Sequence, residues 1–419
     1  MSGSRGFSLP IQPVTAGPFS AWLVEDHTVP VISIAWSWRG GAALEPEGQE
    51  GAAALGAALL TEGAGPLDSL AFADALRDEA ISLSFGAQRD SFDGDLRCLT
   101  EALPEALRLA RLAMTRPRLD AEAVERVRAR AIAGARRVLE TPRGQAGRRF
   151  WAEAFPNHPA GRPASGTAES LTGLPVEAIR NALDRQLRQE GLLVAVAGAI
   201  TPETLASLLP ELFGALPAGA PPPTSALPAF REFGQQVVPM AAPQSAVVFG
   251  QEGLATTDPD WEATQVMLRV LGGGGFSSRL MQVVREQRGL AYGIAAGLDL
   301  IFHRGLIVGS VATENARVAE TLSVTRDEWR RMAEHGPTEA ELADAVAYLT
   351  GSLPLQFTDS RRVADGLLAL RQNNRPPDWL AERPARLAAL TRDRLAGVAA
   401  RLLRPDELSV VIAGQPAGL

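Results

Sequence analysis

Apolar and polar residues change rhythm repeatedly along this chain, and the changes mark its elements. Residues 81–85 and 91–100 alternate apolar with polar, the period of a half-buried strand. The runs 21–25 and 29–38 are also strand-like. Residues 121–139 follow a helical period instead, with Val124, Val127, Ala131, Ala135 and Val138 on one apolar face. Further helices are expected over 51–62, over 67–79 with Asp68 near its start, and over 101–115. This half closes on 192–198, LLVAVAG, a buried-type strand ending in Ala-Gly.

The second half repeats the outline. Strands are expected at 236–240 and 245–251. Asp258 suits an N-cap, with proline at the first helical position. Helices follow over 261–271 and 277–287, then strands at 294–300 and 305–312. Two more helices span 314–334 and 338–351, the second with an acidic first turn that suits the helix dipole. The final strand, 408–414, reads LSVVIAG. Between the halves lies 216–229, LPAGAPPPTSALPA, whose three consecutive prolines can neither continue a helix nor sit in a central strand. It is expected to be a semi-rigid linker. The order of elements predicts an α+β chain of two homologous domains, 1–215 and 230–419, each an antiparallel-rich sheet packed with helices.

A length of 419 residues supports more than one core. A net charge of -7 argues against a general affinity for nucleic acid or an acidic membrane surface. All 41 basic residues are arginine, which removes Schiff-base lysine chemistry and a P-loop. Cys98 is the single cysteine and reads as a buried thiol. No apolar run reaches the roughly 18 residues of a membrane span. Met1, Ser2, Gly3 and Ser4 read as a cloning remnant, which leaves room for a removed leader.

Candidate chemistry is sparse. The histidines are His27, His158, His303 and His335, none at zinc-ligand spacing, and each is expected on a surface or loop. There is no G-x-S-x-G signal, and Ser277 and Ser278 have no neighbouring histidine in sequence. Gly272, Gly273, Gly274 and Gly275 lack the layout of a phosphate cradle. They read as a flexible connector between helices or as a mobile lip on a peptide-binding cavity. The segment 271–292, LGGGGFSSRLMQVVREQRGLAY, sets Arg285 and Tyr292 seven residues apart across a turn. A fixed charge and a phenol so placed suit gripping a peptide carbonyl. A solvated helix arginine and a core tyrosine are the competing reading.

GGGGFSSRLMQVVREQRGLAYGI resembles the C-terminal domain of the insulinase/pitrilysin family of inverted-motif zinc peptidases, and of the mitochondrial-processing-peptidase-like branch. Glu25-Asp26-His27-Thr28-Val29-Pro30 with Arg39-Gly40-Gly41-Ala42 resembles the family's opening. Phe155-Pro156-Asn157-His158-Pro159, Gly161-Arg162-Pro163 and Gly166-Thr167 resemble its loop before Glu169-Ser170-Leu171. Active members carry H-x-x-E-H on the first helix, two histidines for zinc and a glutamate to activate water. Here Ala54, Ala57 and Ala58 stand at those places. The third ligand, a glutamate, falls near Ala133 and Gly134, where no carboxylate is present.

The resemblance therefore implies a half-shell subunit that binds no zinc and cleaves nothing alone. It would supply Arg285 and Tyr292 for catalysis, and the glycine loop for substrate contact, across a chamber from a homologous zinc-binding subunit. The substrate would be a short or unfolded peptide, and the zinc cofactor would sit in the partner. The alternative is an inactive scaffold or peptide-binding protein, since related folds serve as core subunits of respiratory complexes. An independent hydrolase using Ser277 is a third reading. Family habit favours the bacterial periplasm over the cytoplasm.

Overall fold

The computed structural model describes residues 7–419; the first four residues, read above as a remnant, lie outside it. The first sheet contains β1 (Gln12–Ala16), β2 (Phe19–Glu25), β3 (Val31–Arg39), β4 (Ser82–Ala87), β5 (Ser91–Leu99) and β6 (Leu193–Gly198). The helices of this half of the sequence are α1 (Ala52–Leu59), α2 (Ser69–Asp78), α3 (Leu103–Thr115), α4 (Ala121–Leu139), α5 (Pro142–Ala154), α6 (Ala168–Gly173), α7 (Val176–Gln186) and α8 (Pro202–Phe213). The second sheet contains β7 (Gln235–Pro239), β8 (Gln244–Ala255), β9 (Ala291–Ile301), β10 (Arg304–Glu314) and β11 (Ser409–Gly414). The helices of the second half of the sequence are α9 (Trp261–Leu268), α10 (Val318–His335), α11 (Glu339–Gly351), α12 (Ser360–Gln372), α13 (Trp379–Ala388) and α14 (Arg392–Leu402). The class is α+β, as expected.

The sheets share one plan. The first runs β1-β2-β6-β3-β5-β4 and the second β7-β11-β8-β10-β9. In both, one parallel pair (β2/β6, β7/β11) leads into three antiparallel pairs, and the first sheet adds a fourth, β1/β2. Only β1 lacks a counterpart, and it went unread in the sequence because its five residues carry little pattern.

Strand β3 shows how sequence sets the layers. Ile32, Ile34, Trp36 and Trp38 enter the main core with Phe72, Phe92, Leu109 and Phe213. The other face carries small residues, Ser33, Ala35 and Ser37, which let a helix approach closely. That helix is α12, whose Val363, Ala364, Leu367 and Leu368 cover Ala35, Ala195 and Ala197. Ser33 Oγ meets Ser360 Oγ at 2.9 Å, and Gln372 Nε2 donates to Ser37 Oγ at 2.9 Å. The second sheet is covered likewise by α5: Phe150 packs with Val248, Val411 and Ala413. Gly250 makes the room, since a Cβ there would lie 2.7 Å from Phe150 Cζ.

Each sheet thus takes its covering helix from the other half of the sequence. The compact units are residues 1–136, 163–225 and 353–381, and residues 137–162, 226–352 and 382–419. Residues 220–234 form neither helix nor strand.

Several local expectations need correction. Val138 is exposed, because the buried face of α4 ends near Ala135. Helix α9 starts at Trp261: the Asp258 carboxylate accepts from Asp260 N at 2.8 Å and closes a preceding turn that holds the proline. The helix expected from 314 starts at Val318, since β10 runs on to Glu314. His158 is buried rather than superficial: its Nδ1 accepts from Ala160 N at 3.1 Å, and its ring meets Phe302 edge-on at 5.8 Å. Cys98 is buried as expected, and burial pushes its thiol up to about 11.

Candidate functional site

Helix α9 does not stop at the glycines. It continues as a π-helical turn, Arg269–Gly273, and a 3-10 turn follows at Gly275–Ser277. The expected connector is therefore wound and packed. A Cβ on Gly272 would lie 2.8 Å from Ala296 N, so only glycine lets this turn rest against β9. A Cβ on Gly274 would lie 2.7 Å from Arg269 O. Gly273 is less crowded, and Gly275 reverses the chain at φ +58°. Ser277 Oγ donates to Gly274 O at 2.9 Å and Ser278 Oγ to Gly275 O at 2.8 Å. Both hydroxyls hold the turn, and neither is bonded to a histidine, which leaves the Ser277 nucleophile without support.

The next turn is anchored by a residue that the sequence reading passed over. Arg279 is buried and grips Glu341 with two bonds of 2.7 Å, while its Nη2 also donates to Gly336 O at 3.0 Å. Burial alone would raise the Glu341 carboxyl. Arg279 and the Thr338 N–H and hydroxyl outweigh it and hold that carboxyl at about 2. Glu341 also forms a capping box with Thr338 at the start of α11.

A π-helical segment, Met281–Gln287, then carries Arg285. Gly289, at φ +57°, ends it, with Gly289 N donating to Arg285 O at 3.0 Å and Leu290 N to Val284 O at 2.8 Å. Strand β9 starts two residues later, so Arg285 and Tyr292 face each other across the turn. Arg285 Nη1 donates to the Tyr292 carbonyl at 2.9 Å. The guanidinium carbon also lies 4.4 Å from the Tyr292 ring centre and 4.5 Å from that of Phe276. Tyr292 is 86% exposed, and its hydroxyl has no partner among the described residues. Phe276 is 64% exposed. Sequence reasoning missed Phe276; the signal was a lone aromatic within glycines and serines, which offer it no core. The chain's other tyrosine, Tyr348, also stacks on an arginine, with Arg269 at 3.3 Å from its ring centre.

The metal positions of the first unit hold no donors. On α1, Ala57 is buried, Ala54 half-buried and Ala58 exposed. On α4, Ala133 and Gly134 are exposed. Methyl groups and a glycine hydrogen carry no lone pair, so these residues do not fit zinc. The nearest carboxylates are committed elsewhere. Glu45 Oε1 accepts from Ala53 N at 2.8 Å and Oε2 from Gly51 N at 3.1 Å, capping α1. Glu62 accepts from Ser69 Oγ at 2.6 Å and Arg126 Nη2 at 2.5 Å. Against the raising effect of burial, those bonds hold its carboxyl below the usual range. Among the described residues, no group of three or more His, Cys, Asp or Glu is placed to hold a metal ion. Nor is any helix there long and apolar enough to cross a membrane.

Comparison with known proteins bears out the resemblance. A family model described as the peptidase M16 inactive domain matches residues 173–349. The non-peptidase homolog YmxG of Helicobacter pylori is 28% identical over 337 residues, 79% of this chain and 77% of that one. An uncharacterized zinc protease of Streptomyces coelicolor is 32% identical over 269 residues, 61% of this chain and 58% of its own length. The crystal structure of a peptidase M16 inactive domain from Pseudomonas fluorescens matches with a TM-score of 0.91 and 24% identity over 98% of both chains, which establishes the fold.

Proposed function

Because residues 173–349 match the model of the peptidase M16 inactive domain, we propose that this chain is the zinc-less subunit of a two-chain peptidase. One observation carries the reading. A chain with alanine or glycine at the expected metal positions of its first unit displays an arginine and a tyrosine with unspent donors in its second. A homologous partner would supply the zinc site and its activated water. Arg285 keeps its Nη2 donors for a substrate carbonyl and holds the Tyr292 backbone with Nη1. The Tyr292 hydroxyl donates to the oxygen on which negative charge develops during attack. Both act on the acceptor side of the reaction and need no metal in this chain.

The test is a mixture of this chain with a zinc-bearing homologue from the same cell. The lone chain is expected to leave unfolded peptides intact and the mixture to cut them. Tyr292→Phe is expected to lower turnover of the mixture about a hundredfold while the two chains still co-elute. Unchanged turnover removes Tyr292 from the mechanism. An inactive mixture in which this chain still binds peptide favours the peptide-binding alternative.

A further inference from the structure

Phe276 has no place in the pair as assigned above, yet it shares the pair's geometry. A phenylalanine ring exposed on a glycine and serine turn forgoes burial. Here the ring lies against Arg285 instead, as the Tyr292 ring does. One guanidinium carbon thus lies 4.5 and 4.4 Å from two aromatic ring centres. Its edges are also partly spent. Nη1 donates to the Tyr292 carbonyl, and Nε faces Glu286 Oε1 at 3.5 Å. The guanidinium side chain is only 26% exposed, although the rings beside it are largely open to solvent. Nη2 is the part of the guanidinium left for an incoming acceptor.

We propose that Phe276 is a positioning residue that, with Tyr292, clamps the Arg285 guanidinium and aims its Nη2 edge at an incoming carbonyl. An arginine with free faces swings through many rotamers and can receive an acceptor from several sides. Held against two rings, it keeps fewer rotamers and presents Nη2 to an acceptor. The peptide next to that acceptor then meets two largely exposed rings, which suits an extended peptide with an apolar side chain. The choice of ligand rests on the peptidase reading above; the clamp itself does not.

Two readouts on the full-length chain test this. The first is hindered rotation of the Arg285 guanidinium by nitrogen-15 NMR, with its signal identified by loss in Arg285→Lys. Slow rotation is expected in the native chain and in Phe276→Trp, and fast rotation in Phe276→Leu, which keeps apolar bulk but has no ring. Rotation unchanged in Phe276→Leu overturns the proposal, as does equal loss in both variants. The second is fluorescence anisotropy with fluorescein-labelled, unstructured 15-residue peptides whose central residue is Phe or Ser. Phe276→Leu is expected to weaken binding of the Phe peptide about five- to tenfold, with Phe276→Trp within about twofold of native. Equal binding by native and Phe276→Leu overturns the positioning role. If the native chain binds neither peptide, the peptide reading fails, and the rotation measurement still decides the clamp.

Discussion

Between the third strand position of each sheet and its edge strand, the two units place different chemistry on matching scaffolds. In the first, that stretch is α1, whose Ala54, Ala57 and Ala58 carry no donor. In the second, it is α9 and its π-helical continuation, which lead to Phe276, Arg285 and Tyr292. Cavities beside the edge strands differ as well. The first, about 370 Å³, is lined by Asp93, Asp95 and Asp365. The second, about 590 Å³, is lined by Arg143, Trp151 and Asp299. Strand order and helix cover are dictated by burial, so both units keep them. The positions that carry chemistry lie where little core depends on them: Ala58 and Tyr292 are both exposed. Such positions can change without loss of the fold.

The largest expected effect tests the exchanged helices. Phe150→Ala removes a fully buried ring and should cost about 3 to 5 kcal/mol in denaturant unfolding. By hydrogen exchange the loss should appear in β8 and β11, although Phe150 precedes β8 by 94 residues and β11 by 259. Leu367→Ala should cost about 2 to 5 kcal/mol and open β3 and β6 instead. Exchange that rises in the wrong sheet for either variant would break the comparison.

Next in size is the stripped helix. Ala57 is 2% exposed, so Ala57→Glu buries a carboxylate without a partner and should destabilise the chain by roughly 2 to 4 kcal/mol. Ala58→His, on the exposed side, should stay within about 0.5 kcal/mol. Thermal melts of the two variants sharpen the point: Ala57, where the resemblance expects a glutamate, is part of the core, and Ala58, where it expects a histidine, is not.

Acid should act on the units in opposite senses. The Glu341 carboxyl is held at about 2 against an unfolded value near 4.5. Its stabilisation is complete above the unfolded value and drains away as pH falls toward 2. Glu341→Gln should therefore cost about 1 to 3 kcal/mol near pH 6 and almost nothing at pH 2. Asp93 is the reverse. Burial raises its carboxyl above 3.8, with Ser37 and Ser91 opposing, so its contribution is fullest below that value and lost as pH rises through the raised one. Exchange protection in α11 should fall between pH 5 and 3 while β5 holds steady; parallel losses would contradict this. The smallest expected change is Tyr292→Phe on stability, under about 0.5 kcal/mol, because the hydroxyl has no partner among the described residues.

All strands but β1 were legible, because their side-chain patterns stand out along the chain, and α4 fell on its expected bounds. The docking of α5 and α12 was not legible. An amphipathic helix declares that it has an apolar face but not which sheet will receive it. Small residues in β3 and Gly250 in β8 were the only hint. At the site, the spacing of Arg285 and Tyr292 was readable across one turn. Phe276 escaped because its partner lies nine positions on, around a π-helical path that no 3.6-residue period describes. Arg279 and Glu341 escaped because they meet over sixty-two residues.

The crossed covering helices also bear on how this polypeptide is made. The outer face of β3 and β6 waits for residues 360–372, so the ribosome has translated most of the message before that face is sealed. Until then Ala35, Ala195 and Ala197 stand open to water and to other nascent chains. Premature termination near the prolines should leave a sticky, chaperone-bound fragment rather than a free-standing module.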